Sequence, residues 1–287
     1  DILHPSQHGF RAKRGTDTAL IALQALFEQS AETEAPLFLS SWDISKAFDS
    51  LSKQALRFSW FRLGVPTHIA DFLVSLDEMG HTIVRTPYSA KLWEKKKYAG
   101  FTGNRKRKSF FIAARGTGQG DVGSPINWDA AFDILLCALS SVKEDRFYTQ
   151  DSSGILSPAL DIAYADDLLS GMSSLEGIQE KAKIVSAFSI IFGLDIATSK
   201  LRTFLHSSKV PTESLFFSIY TSGWVEHAVP ICASGTLKAL GMLYDISSPQ
   251  LHRSQFLATK LRAERECNII CRSRGSRAQL IKVVNNC

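Results

Sequence analysis

The sequence predicts an α+β domain built on a mostly antiparallel sheet. Helices and hairpin-like strands follow one another along the chain in an order that places strands beside antiparallel neighbours. The 287 residues are 45 % hydrophobic and 21 % charged, an ordinary globular balance with enough chain to bury a sizeable core. No run of about 18 or more apolar residues suggests a membrane span, no signal-peptide pattern opens the chain, and no internal repeat is visible.

The elements are expected in this order. Thr16 caps a first helix whose Leu20, Leu23, Leu26 and Phe27 form an apolar stripe at helical spacing. Pro36 closes the following loop, and Leu37 to Ile44 reads as a short strand with Asp43 at its end. Ser50 or Ser52 caps a helix through Leu63, stopped by Gly64 and Pro66, and Thr67 opens another to about Met79. His81 to Pro87 and Phe110 to Ala114 read as two hairpin strands with a basic insertion between them. Ser124 as N-cap and Pro125 at the first position start a helix to about Val142, with Ile126, Phe132, Leu135, Leu136 and Leu139 facing inward. Two apolar stretches, Ile155 to Tyr164 and Leu168 to Met172, flank Ala165-Asp166-Asp167. Ser173 to Glu176 is a capping-box pattern for a helix ending at Gly193. Strands follow at Arg202 to His206, Phe216 to Tyr220 and Leu240 to Tyr244, and a basic helix begins near His252.

Charge is unevenly distributed. The formal net charge is +5, yet Trp93 to Arg115 carries a balance of +7 and Leu251 to Cys287 a balance of +6, which leaves −8 on the remainder. Two basic segments on an acidic body suggest a polyanionic partner, although solvated faces explain them equally well. Tyr88, Trp93, Tyr98 and Phe101 interleave with the first basic segment and suit either base stacking or hairpin packing. Trp42 and Trp128 read as core. The five cysteines, Cys137, Cys232, Cys267, Cys271 and Cys287, are odd in number and scattered, which favours a reducing intracellular compartment over a disulfide framework. Cys267 and Cys271 lack a second pair at zinc-ligand spacing.

Carboxylates carry the chemistry. Asp43 ends an apolar strand, and Asp166 and Asp167 lie between apolar segments, where a charge costs desolvation energy unless cations or hydrogen bonds compensate. Converging carboxylates raise one another's pKa unless a divalent ion neutralises them; Mg²⁺ takes such oxygen ligands together with substrate phosphates, and two ions clamp an in-line phosphoryl transfer. Neighbouring strand residues point to opposite faces, so Asp166 and Asp167 can share a site only if the turn redirects one of them. Taken alone, an Asp-Asp pair reads as a surface turn. Likewise Arg115-Gly-Thr-Gly-Gln-Gly-Asp121, running into a helix start, reads alone as a strand-to-helix turn, though its glycines would let backbone approach an anionic ligand.

The order of the pieces is more specific. Asp-Ile-Ser-Lys-Ala-Phe-Asp (43–49) precedes Gly-Thr-Gly-Gln-Gly-Asp-Val-Gly-Ser-Pro (116–125), which precedes Tyr-Ala-Asp-Asp (164–167). With these the sequence resembles reverse transcriptases, most closely those of non-LTR retroelements. Gln-His-Gly-Phe-Arg-Ala-Lys-Arg-Gly-Thr (7–16) is similar to the fingers motif preceding the first catalytic strand in that family, Gly-Leu-Asp-Ile-Ala-Thr-Ser-Lys (193–200) to the motif that supplies a lysine near the active site, and Leu240-Gly241 to the primer-grip turn. The resemblance spans roughly Gln7 to Asp245. It implies a right-hand polymerase palm, an antiparallel sheet with helices on one face, plus partial fingers and the start of a thumb: residues 1–36 as fingers, 37–250 as palm with a basic hairpin insertion at 88–109, and 251–287 as thumb.

The resemblance also implies RNA-directed DNA synthesis from an RNA template, a DNA primer and deoxynucleoside triphosphates. Asp43, Asp166 and Asp167 would be catalytic and hold two Mg²⁺ or Mn²⁺ ions, and Lys200 would approach the triphosphate. Ile44, Phe48, Gln119 and Gly120 would line the nucleotide pocket, with Phe48 excluding a 2′-hydroxyl. Arg11, Arg14, Lys106, Arg107, Lys108, Leu240 and Gly241 would contact nucleic acid; the basic residues rest on charge, and solvated loop charge explains Arg11 and Arg14 equally well. The chain departs from the family at Val122-Gly123, where Pro-Leu is usual, and at Gly118, often Arg. It starts at Asp1 rather than Met and shows no endonuclease or ribonuclease H segment, so it is expected to be cut from a longer retroelement polyprotein acting in nucleus or cytoplasm. A degenerate, domesticated polymerase-like domain that binds nucleic acid without catalysis, and a group II intron maturase, are the alternatives.

Overall fold

The computed structural model describes residues 2–79, 115–117, 122–143, 146–150, 156–159, 161–207, 214–246 and 252–272. The strands expected at His81–Pro87 and Phe110–Ala114, and the basic insertion between them, lie outside those residues. The chain runs through α1 (Thr16–Thr33), β1 (Leu37–Trp42), β2 (Ile44–Ser45), α2 (Ala47–Ser50), α3 (Lys53–Arg62) and α4 (Thr67–Met79). It continues with α5 (Ser124–Leu139), β3 (Tyr148–Gln150), β4 (Leu156–Pro158), β5 (Ile162–Tyr164), β6 (Asp167–Met172) and α6 (Leu175–Phe192). Last come β7 (Asp195–Ile196), β8 (Arg202–His206), β9 (Phe216–Thr221), β10 (Val225–Cys232), β11 (Thr236–Ala239), β12 (Met242–Asp245) and α7 (Arg253–Arg272).

The main sheet has the order β5-β6-β1-β8-β10-β9. Every pairing in it is antiparallel except the short parallel contact of β10 with β8. β1 lies inside, pairing with β6 on one edge and β8 on the other, and its apolar side chains are buried on both faces, as an interior strand demands. Phe38 and Trp42 point toward the layer formed by α5 and α6; Leu37 and Leu39 point toward α1 and the β11–β12 hairpin. The expected helix layer is therefore α5 and α6, with α1 added on the opposite face. At the sheet centre Ser170, Ser40 and Thr203 stand side by side in register, all fully buried, with a 2.7 Å hydrogen bond between the Ser40 and Thr203 hydroxyls.

The core beneath the sheet contains a run of aromatic rings. Phe48 packs on Trp128 at 5.3 Å between centroids, Trp128 stacks on Phe132 at 5.2 Å, Phe132 meets Phe188 edge-on at 6.2 Å, and Phe188 stacks on Phe192 at 4.3 Å. This run ties α2 to α6 through α5.

Several local expectations shift by a residue or more. Gly15, not Thr16, is the N-cap of α1; the Thr18 hydroxyl accepts from the Gly15 N–H at 3.0 Å and so satisfies that end from inside the helix. Ser52, rather than Ser50, caps α3, its hydroxyl accepting from Ala55 N–H. Gly123 is the N-cap of α5; the Ser124 hydroxyl instead donates to the Thr117 carbonyl at 2.8 Å and anchors the preceding loop. α5 ends at Leu139, three residues short of Val142, and Ile126 is 55 % exposed rather than inward. Ser174, not Ser173, caps α6, and Gly193 ends it as expected. The strand expected to continue through Asp43 breaks there into β1 and β2. β10 and β11 were not foreseen, because Val225–Cys232 mixes exposed and half-buried positions without clean alternation.

Phe132→Ala is expected to cost about 3–5 kcal/mol of stability by opening a cavity in the ring run, whereas Ile126→Ala stays within about 0.5 kcal/mol. Urea unfolding with an unchanged m value checks both.

Candidate active site

The main chain around Asp43 brings three sequence segments together at one end of the central strands. After β1 the chain turns through Asp43 into β2, which pairs with β7 through Ile44 opposite Ile196 and Ser45 opposite Asp195. The Ala197 N–H donates to the Asp43 carbonyl at 2.9 Å, and the turn closed by Lys200 N–H on the Ala197 carbonyl follows at once. That turn delivers Lys200 to Asp43: its Nζ lies 3.0 Å from Oδ2 and 3.2 Å from Oδ1. Lys200 is 67 % exposed and Asp43 33 %, so water screens this ion pair.

Beside β1, the β5–β6 hairpin pairs Tyr164 with Asp167 and leaves Ala165 and Asp166 as its two-residue turn. Ala165 takes φ +56°. Asp166 thus stands in the turn and Asp167 at the first position of β6, so the two neighbours are not successive residues of one strand. The main chain of Ala165 is held from two sides: the buried Gln7 carboxamide pairs with its N–H and its carbonyl, and the Trp128 indole donates to the same carbonyl at 3.0 Å.

Electrostatics couple these carboxylates. Partial burial pushes the Asp166 carboxyl above its usual range and Asp43 pushes the same way; a backbone hydrogen bond and Lys200 oppose. Asp167 is raised by burial first, then by Asp166 and Asp43, again against Lys200. All the donors are oxygens, the chemistry that suits Mg²⁺ or Mn²⁺, and an ammonium already neutralises Asp43. Among the described residues no group of three or more Asp, Glu, His or Cys side chains stands ready to hold a metal ion.

Phe48 stands at the start of the aromatic run, with Phe10 against it at 6.4 Å, edge to face. The Arg115–Thr117 segment docks beside it: Gly116 N–H donates to the Leu51 carbonyl and Thr117 N–H to the Phe48 carbonyl, both at 2.7 Å, and the buried Lys53 ammonium donates to the Gly116 carbonyl at 2.6 Å. Gly116 has φ +82°, and a Cβ there would lie 2.6 Å from the Asp49 Cα, so only glycine permits this approach. Gln119, Gly120, Lys106, Arg107 and Lys108 lie outside the described residues. Leu240 and Gly241, both at positive φ, form the two-residue turn between β11 and β12. Arg11 donates to the carbonyls of His4, Gln7 and Leu3, and Arg14 to that of Pro5, so both tie down the N-terminal segment.

That segment also meets α5 at a buried ionic cluster that residue patterns did not reveal. Asp133 accepts from His4 N–H and from the Arg62 guanidinium, each at 2.5 Å. Asp129, one turn earlier, is pushed up to about 7 by burial, with Asp133 adding and Arg11 opposing. His8, bonded to the Thr18 hydroxyl at 2.8 Å, is pushed down to about 4 by burial and by Arg14 and Arg11, with Asp17 opposing. Acidic residues at two positions of an otherwise apolar helix were the available signal.

A mostly antiparallel central sheet with helices packed on it, and with a strand ending at an Asp beside a hairpin that carries an Asp-Asp pair, has the architecture of a polymerase palm. Residues 1–243 match the family model described as reverse transcriptase (RNA-dependent DNA polymerase), and the chain belongs to that family. It is 30 % identical over 172 residues to the retrovirus-related Pol polyprotein from the type-1 retrotransposable element R2 of Popillia japonica, covering 58 % of this chain and 20 % of that protein. It is 26 % identical over 199 residues to the corresponding polyprotein from the type-2 element R2DM of Drosophila melanogaster, covering 69 % of this chain and 17 % of that one. The chain thus spans about a fifth of the curated relatives it matches. Telomerase from Candida tropicalis in complex with a telomeric RNA fragment shares the fold, with TM-score 0.52 at 13 % identity over 85 % of this chain and 33 % of that one. The apo form gives 0.51 at 13 % identity, over 84 % and 36 %. Among the described residues no helix is long and apolar enough to cross a membrane.

The pH dependence of stability follows from the ionic cluster. Asp129 takes up a proton on folding between its ordinary value and about 7, so its contribution to stability falls as pH rises through that window. His8, lowered in the folded chain, contributes in the opposite direction, its stability rising with pH from about 4. Asp129→Asn is expected to stabilise the chain more at about pH 8 than at about pH 4, leaving the His8 slope exposed; chemical denaturation at the two pH values measures it.

Proposed function

We propose that this chain is the palm of an RNA-directed DNA polymerase of a non-LTR retroelement. It directs attack of a primer 3′-hydroxyl on the α-phosphate of a template-selected deoxynucleotide, with release of pyrophosphate. One observation carries the reading: Asp43 follows the end of β1, paired there with Lys200, next to the β5–β6 hairpin whose turn holds Asp166 and whose second strand opens with Asp167.

In this reading Asp43, Asp166 and Asp167 hold divalent Mg²⁺ or Mn²⁺, and bound ions supply charge neutralisation and a lowered pKa for the attacking hydroxyl. Asp43 is freed for that task by release of Lys200, whose solvated ammonium then serves the polyphosphate of the incoming nucleotide. Phe48 is braced from behind by Trp128, so its ring resists displacement by a ribose 2′-hydroxyl. Ile44, Gln119 and Gly120 complete the nucleotide pocket. Leu240 and Gly241 present the β11–β12 turn to the primer, and Arg11, Arg14 and Lys106–Lys108 add positive charge for the template-primer backbone. The remainder of a polyprotein supplies what the palm lacks.

A second reading, nucleic-acid binding without catalysis, draws on the engagement of Asp43 by Lys200 in place of a three-ligand metal cluster. Asp43→Asn and Asp166→Asn decide between them. Each is expected to lower primer extension on a primed RNA template by at least about 100-fold, the scale on which transition-state charge stabilisation is lost. Asp166→Asn should leave the melting temperature unchanged or raised, because its folded-state carboxyl is ionised at a cost. Extension that survives either substitution overturns the polymerase reading.

A further inference from the structure

We infer that Gln7 is a positioning residue for the Asp166-Asp167 turn; the inference rests on the functional reading above. The turn has a conformational problem. Ala165 holds φ +56° at the first of two turn positions, a place that favours glycine. For a residue with a Cβ, the left-handed region costs about 1–2 kcal/mol, so surroundings must impose it.

Gln7 imposes it with one side chain. Its Nε2 donates to the Ala165 carbonyl at 3.2 Å, and its Oε1 accepts from the Ala165 N–H at 3.1 Å. A carboxamide can span the N–H and the C=O of one residue in this two-way fashion, because it carries a donor and an acceptor side by side. Gln7 is 2 % exposed, so water does not compete for either bond. Its Oε1 also accepts from Gly9 N–H at 2.9 Å, which fixes the rotamer.

The backbone carrying Gln7 is itself part of the sheet edge. His8 N–H donates to the Ala163 carbonyl at 2.7 Å, and Ala163 N–H donates to the Ser6 carbonyl at 2.9 Å, so residues 6–8 lie parallel to β5. Arg11 and the His4–Asp133 hydrogen bond hold the segment from outside. Gly9 lets it close in: a Cβ there would stand 2.5 Å from the Ala165 nitrogen. Opposite, the fully buried Trp128 indole donates to the second lone pair of the Ala165 carbonyl. The peptide immediately before the two carboxylates is thus gripped between a sequence-remote amide and α5, and the aim of the Asp166 side chain follows from that grip.

Gln7→Met keeps the length and removes all three hydrogen bonds; Gln7→Glu keeps the acceptors; Ala165→Gly removes the conformational cost that the grip offsets. All are made in the full chain, with Asp166→Asn alongside. Gln7→Met is expected to speed hydrogen exchange at the Ala165 amide by at least about 10-fold, while Leu168 and Leu169 stay protected. It should lower kcat for primer extension by about 10- to 100-fold, with KM for template-primer unchanged, the scale of a small misplacement of reacting groups. Ala165→Gly in the Gln7→Met background should recover most of that kcat. Unaltered kcat in Gln7→Met with a faster Ala165 amide, or a kcat loss no larger than the loss of folded protein, overturns the proposal. If Gln7→Met fails to fold, Gln7→Glu carries the same comparison. Activity lost in Asp166→Asn but kept in the Gln7 variants defeats this inference alone; activity kept in Asp166→Asn defeats the functional reading beneath it.

Discussion

Carboxylates that must stand together repel one another, and the rest of the structure is arranged around that repulsion. Asp166 and Asp167 are raised by burial and by their acidic neighbours, and Lys200 is the cation that offsets them. Repelling groups stay in place only if backbone holds them, and here the backbone is unusually constrained. Asp43 sits at the break between β1 and β2, locked by Ala197, and Asp166 sits in a two-residue turn gripped at Ala165. The rigid pieces are interior ones: a strand paired on both edges and a helix buried on most sides.

Family membership and fold agree with this geometry at different depths. The family match covers residues 1–243 and therefore both segments that carry the acidic residues. The telomerase structures agree in fold while only 13 % of residues are identical, which leaves the arrangement of the sheet, more than its composition, as the shared property.

The palm was legible in the sequence because its parts obey local rules. Asp43 at a strand end, an Asp-Asp pair between apolar runs, Ser52 as a cap, and β8 at Arg202–His206 each follow from pattern and turn chemistry. What was not legible depends on partners distant in the chain. Ile126 belongs to the apolar periodicity of α5, yet its position on the first turn leaves it at the surface. Asp129 and Asp133 look like surface charges until the N-terminal segment covers them. Ser124 looks like a cap, but a carbonyl seven residues back competes for its hydroxyl and wins. Gln7 lies 158 residues from the peptide it holds, and no periodicity links the two. Lys200 was expected to serve a phosphate, and its pairing with the Asp43 carboxylate follows from the turn at residues 197–200, which strand periodicity does not reveal.

The interior position of β1 has a consequence for how the protein comes into being. Its two edges are completed by strands that arrive late: β6 ends at Met172 and β8 at His206. During synthesis Leu37–Trp42 waits while the ribosome adds the residues up to β8, roughly ten to thirty seconds at ordinary elongation rates. Through that interval an apolar strand with both hydrogen-bonding edges open is exposed to the cell. The segment that ends in Asp43 is made before either strand that pairs with it, so the interior strand of the sheet stays incomplete until β8 has been added.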